Sequence, residues 1–181
     1  MMPGSNGLKN CYLLGPMGCG KTTVGRRVAR MMNRIFIDTD EALVNLTGLD
    51  IPQWFKTRGE NDFRRAEKTV LYHVCGLRGV VAALGGGAVL DEENRKMLAQ
   101  SGVRVSLFFP APVLARRLEH AECRPLLADG NNEAERIRLL DELISRRRPF
   151  YEEADLTLRF GYDVDPDCVS EMIVSYLSGR S

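Results

Sequence analysis

The apolar positions fall into short unbroken runs separated by longer stretches with helical spacing. Cys11-Tyr12-Leu13-Leu14 predicts a buried strand, and Ile35-Phe36-Ile37 a second that ends at Asp38-Thr39-Asp40. Val80 to Leu84 predicts a third, Val103 to Phe109 a fourth closed by Pro110, and Leu156-Thr157-Leu158 a fifth. Runs without polar interruption suit parallel strands covered on both faces. Between them the period changes. Thr23 to Met32 sets Val24, Val28, Met31 and Met32 between arginines, as a helix over a core would. Glu41 to Thr47 predicts a short helix stopped near Gly48. Asp50 can cap the next one, with Pro52 early in it and Trp54 and Phe55 inward, ending near Arg58-Gly59. A longer helix from Asn61 to Leu77 carries a stripe of Phe63, Ala66, Val70, Leu71 and Val74. Asp91 caps a helix running to Gln100, which Gly102 breaks. Pro112–Glu119, Ala134–Phe150 and Pro166–Leu177 are also helical. His120 to Glu133 holds Arg124-Pro125, Asp129-Gly130 and Asn131-Asn132, and predicts a mobile loop.

Strands alternating with helices from end to end predict an α/β fold: a three-layer sandwich, five parallel strands with helices on both faces. Such sheets take their ligands beyond the carboxyl ends of the strands. Three segments follow strands directly: Gly15 to Thr22, Asp38 to Asp40, and Gly85 to Gly87. They are expected to line one crevice.

The first of these, Gly15-Pro16-Met17-Gly18-Cys19-Gly20-Lys21-Thr22, fits G-x-x-x-x-G-K-[ST], the phosphate-binding P-loop, between a predicted strand and a predicted helix. Its glycines let backbone N–H groups turn inward, and the helix N-terminus attracts phosphate oxygens. In that motif Lys21 reaches the β- and γ-phosphates and Thr22 ligates Mg²⁺. The loop specifies a nucleoside triphosphate and leaves the acceptor open.

Composition narrows the setting. At 181 residues the chain is expected to be one domain, residues 1–181, with a core large enough to need no disulfide or metal. Lys plus Arg is 25 and Asp plus Glu is 24, so no global field draws in nucleic acid or membrane and an anion site must be built locally. The five cysteines, Cys11, Cys19, Cys75, Cys123 and Cys168, form no C-x-x-C pair, which argues for free thiols in a reducing compartment. Met1 to Asn10 is polar, lacks an apolar leader core and is expected to fray. A cytoplasmic protein without nucleic-acid or membrane partners is the expectation.

Other groups can complete a site. Asp38 and Asp40 stand two apart at a strand exit; one can assist Mg²⁺ through water and the other can orient or deprotonate an alcohol, or either can cap the following helix. Gly85 to Gly87 offers bare N–H groups to a small ligand, or forms a tight turn. Arg58, Arg64, Arg116, Arg117, Arg124, Arg146, Arg147 and Arg148 are the possible anion binders, since arginine grips carboxylate or phosphate bidentately. Cys19 is either a small residue that fits the loop or an oxidation-sensitive one. His73 and His120 have no catalytic partner nearby in sequence and are expected to be structural or at the surface.

Taken together, these segments resemble the shikimate kinase family. The resemblance runs from Cys11 to Leu177, through Gly15–Thr23, Asp38–Asp40, Arg58–Glu67 (Gly-Glu-x-x-Phe-Arg-x-x-Glu from Gly59), Gly85–Gly87, Arg124-Pro125-Leu126-Leu127 and Arg147–Tyr151. It implies ATP-dependent phosphorylation of the 3-hydroxyl of shikimate, in aromatic amino-acid biosynthesis, by a monomer using ATP and Mg²⁺. It implies an acceptor segment over residues 40–67 and a lid over 120–133. Arg64 and Arg147 would hold the shikimate carboxylate. Asp40 would bind its hydroxyls and serve as base, and the Gly85, Gly86 and Gly87 amides would bind ring hydroxyls. Gly18, Cys19, Gly20, Lys21, Thr22 and Thr23 would hold ATP, with Arg117 near the adenine and Arg124 closing over the phosphates. Thr22, and Asp38 through water, would hold the metal, and Glu67 would orient Arg64 from one helical turn away. Catalysis would rest on Lys21, Asp40 and Arg124. Three positions depart from the family's habit: Asn45 where an acid is common, Cys19 where Ala or Ser is usual, and Arg148 beside Arg147 where a neutral residue is common. A kinase for another polyol acid such as gluconate would keep Lys21 and Thr22 without needing the arginine pair. A nucleotide switch would need a guanine-selecting Asn-Lys-x-Asp, which is absent.

Overall fold

A computed structural model describes residues 9–118 and 132–179. Five parallel strands form one sheet: β1 (Asn10–Leu14), β2 (Phe36–Asp38), β3 (Val81–Ala83), β4 (Gly102–Phe108) and β5 (Leu156–Arg159), in the order β2-β3-β1-β4-β5. Every residue of β1 is buried because it is the central strand, with Leu13 beside Ala83 on one side and Val105 on the other. Its side chains alternate between two cores. Cys11 and Leu13 join Val105 and Leu107 beneath α1 (Lys21–Met31), α5 (Ala111–Arg117), α6 (Glu133–Glu152) and α7 (Pro166–Ser178). Tyr12 and Leu14 face the opposite way, towards α2 (Thr39–Thr47), α3 (Ile51–Gly76) and α4 (Glu92–Ser101). That two-sided burial is why the strand runs read as continuously apolar.

Several boundaries differ from expectation for identifiable reasons. Ile35 was expected in a buried strand but is 69% exposed, because β2 lies at the sheet edge and begins one residue later. Met31 is likewise exposed, and Val24, Gly25, Val28 and Ala29 form the buried face of α1. Asn10 does not fray. It is buried in β1, where its amide donates to the Tyr12 hydroxyl (2.9 Å) and the Leu77 carbonyl (2.9 Å) and accepts from the Val80 N–H (3.1 Å). The two helices expected on either side of Gly59 run on as α3, bent at Gly59, whose φ of 78° and ψ of 170° are not helical. A 3₁₀ turn, Ala88–Leu90, follows the three glycines. Asn132 caps α6 through the Glu135 N–H, so Glu133 belongs to helix rather than loop, and α6 continues through Pro149 to Glu152. The rest of the expected lid, with His120, Cys123 and Arg124, lies outside the described residues.

Candidate functional site

The loop after β1 turns as its motif requires. Gly15, Gly18 and Gly20 have φ of 137°, 77° and 87°, in the region closed to most side chains. At Gly15 a Cβ would also meet the Leu107 carbonyl oxygen at 2.5 Å and the Cys19 sulfur at 2.9 Å. The loop delivers the chain into α1, whose N-cap Gly20 supplies no side-chain hydrogen bond and whose first turn has no acid. By contrast α2, α3, α4, α6 and α7 are each capped by an Asp or Asn side chain. The leading N–H groups of α1 are therefore left for an anion, with the helix dipole behind them. Lys21 folds back along the loop, its Nζ donating to the carbonyls of Gly15 and Pro16 (2.8 Å each) and to the Cys19 sulfur (3.6 Å). Cys19 is buried under it. Thr23 is exposed one residue beyond Thr22.

β2 ends on Asp38, which does two things at once. Its Oδ1 accepts from the N–H groups of Asp40 and Glu41, capping α2, and its Oδ2 accepts from the Thr22 hydroxyl at 2.7 Å. The capping alternative thus falls to Asp38, and the Asp40 carboxylate is turned elsewhere: its Oδ1 lies 2.7 Å from where a Gly85 Cβ would stand. Thr22 and Asp38 together present hard oxygens beside the phosphate loop. Among the described residues no cluster of three or more His, Cys, Asp or Glu forms a metal cage. A hydroxyl with one carboxylate fits Mg²⁺, which keeps several waters and takes its remaining oxygens from nucleotide phosphates.

The end of β3 is crowded. A Cβ on Gly85 would lie 2.7 Å from Glu67 Oε1 as well as from Asp40, and a Cβ on Gly87 would fall on the Arg64 guanidinium, 2.7 Å from its Cζ. Glycine serves close approach here rather than a left-handed turn: a side chain at either position would push these functional groups aside. A Cβ on Gly86 would stand 3.3 Å from Arg147 Nη1, 3.6 Å from the Tyr151 hydroxyl and 3.7 Å from the Gly15 carbonyl oxygen. Arg64 from α3, Arg147 from α6 and the phosphate loop therefore meet at one short glycine segment.

Ion pairing fixes Arg64. Arg64 donates through Nη1 to Glu67 Oε2 (2.9 Å) and through Nη2 to Glu60 (3.1 Å). Burial works against the Arg64 charge, but Glu67 and Glu60 outweigh it and its pKa stands above the ordinary value. Glu67 is 5% exposed; burial pushes its carboxyl up, Arg64 and Arg147 pull it down, and Asp40 adds to the upward push, leaving it above the usual glutamate range. Arg147 is buried beside Gly86, while Arg148 is exposed and lies near Glu152, so of the two neighbours it is Arg147 that enters the crevice. Three groups to which sequence reasoning gave no role complete the frame. Tyr151 OH donates to the Gly86 carbonyl at 2.7 Å, and burial pushes its pKa up to about 12. Buried Thr39 accepts from the Gly85 N–H at 3.0 Å and donates to Ala83. Asp163, after β5, accepts from Arg117 Nε (3.2 Å) and Arg116 (2.9 Å). Arg117 lies over the Phe109 ring at 4.1 Å and donates to the Gly18 carbonyl at 3.2 Å, so it flanks the phosphate loop. Arg58 instead packs over Trp54, and His73 is exposed.

The crevice thus sets a triphosphate loop against two guanidinium groups, two carboxylates and the Gly86–Gly87 backbone; of the three amides expected to face a ligand, the Gly85 N–H is instead taken by Thr39. Comparison with known proteins points to the same pairing. A family model described as shikimate kinase matches residues 17–177. The shikimate kinase of Nitrosococcus oceani is 42% identical over 153 residues, covering 84% of this chain and 78% of the relative. That of Caldicellulosiruptor bescii is 38% identical over 168 residues, covering 93% and 95%. The solved structure of Acinetobacter baumannii shikimate kinase in complex with shikimate superposes with a TM-score of 0.86 at 36% identity, covering 95% of this chain and 94% of that one. On the match of the family model and the extent of these relatives, the chain belongs to the shikimate kinase family.

Proposed function

We propose that the chain performs the reaction of its family, transferring the γ-phosphoryl group of ATP to the 3-hydroxyl of shikimate to give shikimate 3-phosphate and ADP, with donor and acceptor held on the two sides of the glycine segment. The observation that carries the residue assignment is the convergence of Arg64 and Arg147 on Gly86 and Gly87, with the Gly15 carbonyl beside them. Two guanidinium groups suit a small carboxylate, and the Gly86 and Gly87 amides suit ring hydroxyls, the Gly85 N–H being held by Thr39. Asp40, next to Gly85, accepts the hydroxyl proton or aims the oxygen. Lys21 leaves the loop carbonyls it holds for the β- and γ-phosphates; Gly18, Cys19, Gly20, Thr22 and Thr23 line the phosphate side, and Arg117 the base side. Mg²⁺, held by Thr22 and through water by Asp38, would neutralise phosphate charge. Arg124 keeps the lid role implied by family resemblance, outside the described residues.

The chain is proposed to act as a single-domain monomer in the cytoplasm. Supporting that setting, Cys11, Cys19, Cys75 and Cys168 are free thiols, and no described helix is long and apolar enough to cross a membrane. A coupled ADP-release assay with shikimate, with gluconate and with no acceptor tests the reading. Turnover is expected with shikimate alone, and Arg147→Ala is expected to raise the shikimate KM by about tenfold or more, the scale of a lost charge-assisted pair. Equal turnover on gluconate, or ADP release independent of any acceptor, would overturn it.

A further inference from the structure

Arg95, on α4, takes no part in the crevice described above, yet its guanidinium spans three segments. Nη1 donates to the carbonyls of Val89 (2.9 Å) and Leu90 (3.2 Å), and Nε donates to Glu153 Oε2 (3.0 Å). Its Cζ lies 4.7 Å above the Phe150 ring. The side chain is only 17% exposed. Its neighbour Asn94 donates to the Ala88 carbonyl at 2.9 Å, so α4 grips every carbonyl of the 3₁₀ turn. Asn94 stops at the turn, whereas Arg95 reaches across it to the end of α6.

The turn is the direct continuation of Gly85–Gly87, and Phe150 and Glu153 follow Arg147 by one and two helical turns or less. The Tyr151 hydroxyl makes a second bridge, to the Gly86 carbonyl. The glycine segment with its turn and the end of α6 are therefore tied together at two points, both within two helical turns C-terminal to Arg147.

We propose that Arg95 is a positioning residue for the acceptor: it fixes the spacing between the Gly86–Gly87 amides and the Arg147 guanidinium, and so sets shikimate affinity without touching shikimate. This rests on the reading that those amides and Arg147 hold the acceptor. A planar fork stacked on an aromatic face can serve two carbonyls and a carboxylate at once; a lysine ammonium keeps the charge and loses the fork. Binding groups drift when the contacts that support them are loosened, and affinity falls before the chemistry changes.

The test is steady-state kinetics on Arg95→Gln, Arg95→Lys and Glu153→Gln, with shikimate and ATP varied separately, alone and combined with Arg147→Ala. Arg95→Gln is expected to raise the shikimate KM by about tenfold, the scale of lost hydrogen bonds to a charged group, and to leave the ATP KM within about twofold. Arg95→Lys recovers part of the loss, and Glu153→Gln, which removes the ion pair at the end of α6 and leaves the Phe150 stacking, raises the shikimate KM by about threefold, a weaker effect for an exposed partner. In the Arg147→Ala background Arg95→Gln adds less than about twofold, since residues acting through one another are not additive. An unchanged shikimate KM, or a parallel rise in both KM values that persists without Arg147, overturns the proposal. Should Arg95→Gln not fold, the Arg95→Lys and Glu153→Gln values decide it by the same criteria. If Arg147→Ala itself leaves the shikimate KM unchanged, the acceptor reading fails and takes the proposal with it; if Arg147→Ala raises it and Arg95→Gln does not, only the proposal fails.

Discussion

At the scale of single residues the division of labour between Asp38 and Asp40 decides the chemistry. Both stand at the exit of β2, and either can cap α2. Asp38 takes the cap and also accepts the Thr22 hydroxyl, which commits it to the phosphate side. Asp40 is set against Gly85 and within the field of Glu67, on the acceptor side. Asp40→Asn keeps the shape and removes the proposed base, so kcat is expected to fall by about 10²-fold or more with a smaller change in shikimate KM. Near-full turnover with a raised KM would reduce Asp40 to an orienting group. The donor side is legible in the amino-acid sequence by itself, because the phosphate loop concentrates its groups in eight consecutive residues whose spacing is itself the mechanism. The acceptor side is not. Arg64, Arg147 and Gly86 are drawn from three distant segments, and only the family resemblance picks Arg64 and Arg147 out of eight candidate arginines. Tyr151 and Thr39 fall within the motif segments but their roles are not legible, and Asp163 gives no signal, since each acts through hydrogen bonds to neighbours that sequence cannot bring near it.

At the scale of elements, the strand and helix periods carry most of the fold, and the errors cluster at the sheet edge and at helix starts. Ile35 misleads because an edge strand is only half covered, so an apolar run there continues into solvent. Gly59 is legible as a stop, and the backbone does leave helical geometry there, although α3 resumes at once. The bend has a purpose that periodicity does not reveal: the residues before it pack Trp54 against Phe63, and those after it aim Arg64 at Gly87. A Cβ at Gly59 would meet nothing within 4 Å, so crowding is not the constraint. The constraint is φ of 78° with ψ of 170°, a region essentially reserved for glycine. Gly59→Ala is therefore expected to lower stability by about 1–3 kcal/mol through backbone strain alone. If the helix relieves that strain by straightening, Arg64 turns away from Gly87 and the shikimate KM rises while the ATP KM does not. Denaturant midpoints together with the two KM values check this; a variant as stable as the parent would remove the strain argument.

At the scale of the whole molecule, the burial of the sheet makes stability depend on alkaline pH. Cys11 and Tyr12 lie on the central strand with no exposed surface, and Tyr151 is 1% exposed. Burial pushes the Cys11 thiol up to about 12, against a weaker pull from Arg34. It pushes Tyr151 up to about 12 and raises Tyr12 as well, outweighing the hydrogen bonds from Ser101 and Asn10. In the unfolded chain these groups ionise near their ordinary values, about 8.5 for cysteine and about 10 for tyrosine. Above those values the unfolded chain binds fewer protons than the folded one, so stability falls as pH rises, at about 1.4 kcal/mol per pH unit for each group. Stability is therefore expected to decline from about pH 8.5 as the thiol enters, and more steeply above about pH 10 as the tyrosines join. Cys11→Ala isolates one of the three. It lowers stability at neutral pH by opening a small cavity, yet it must flatten the first part of the alkaline decline, because the group whose ionisation favours unfolding is gone. Denaturant unfolding of both proteins at intervals across this range reads the two slopes directly. Identical slopes would mean that Cys11 ionises as readily within the sheet as outside it, which a thiol sealed between α1 and the central strands should not do.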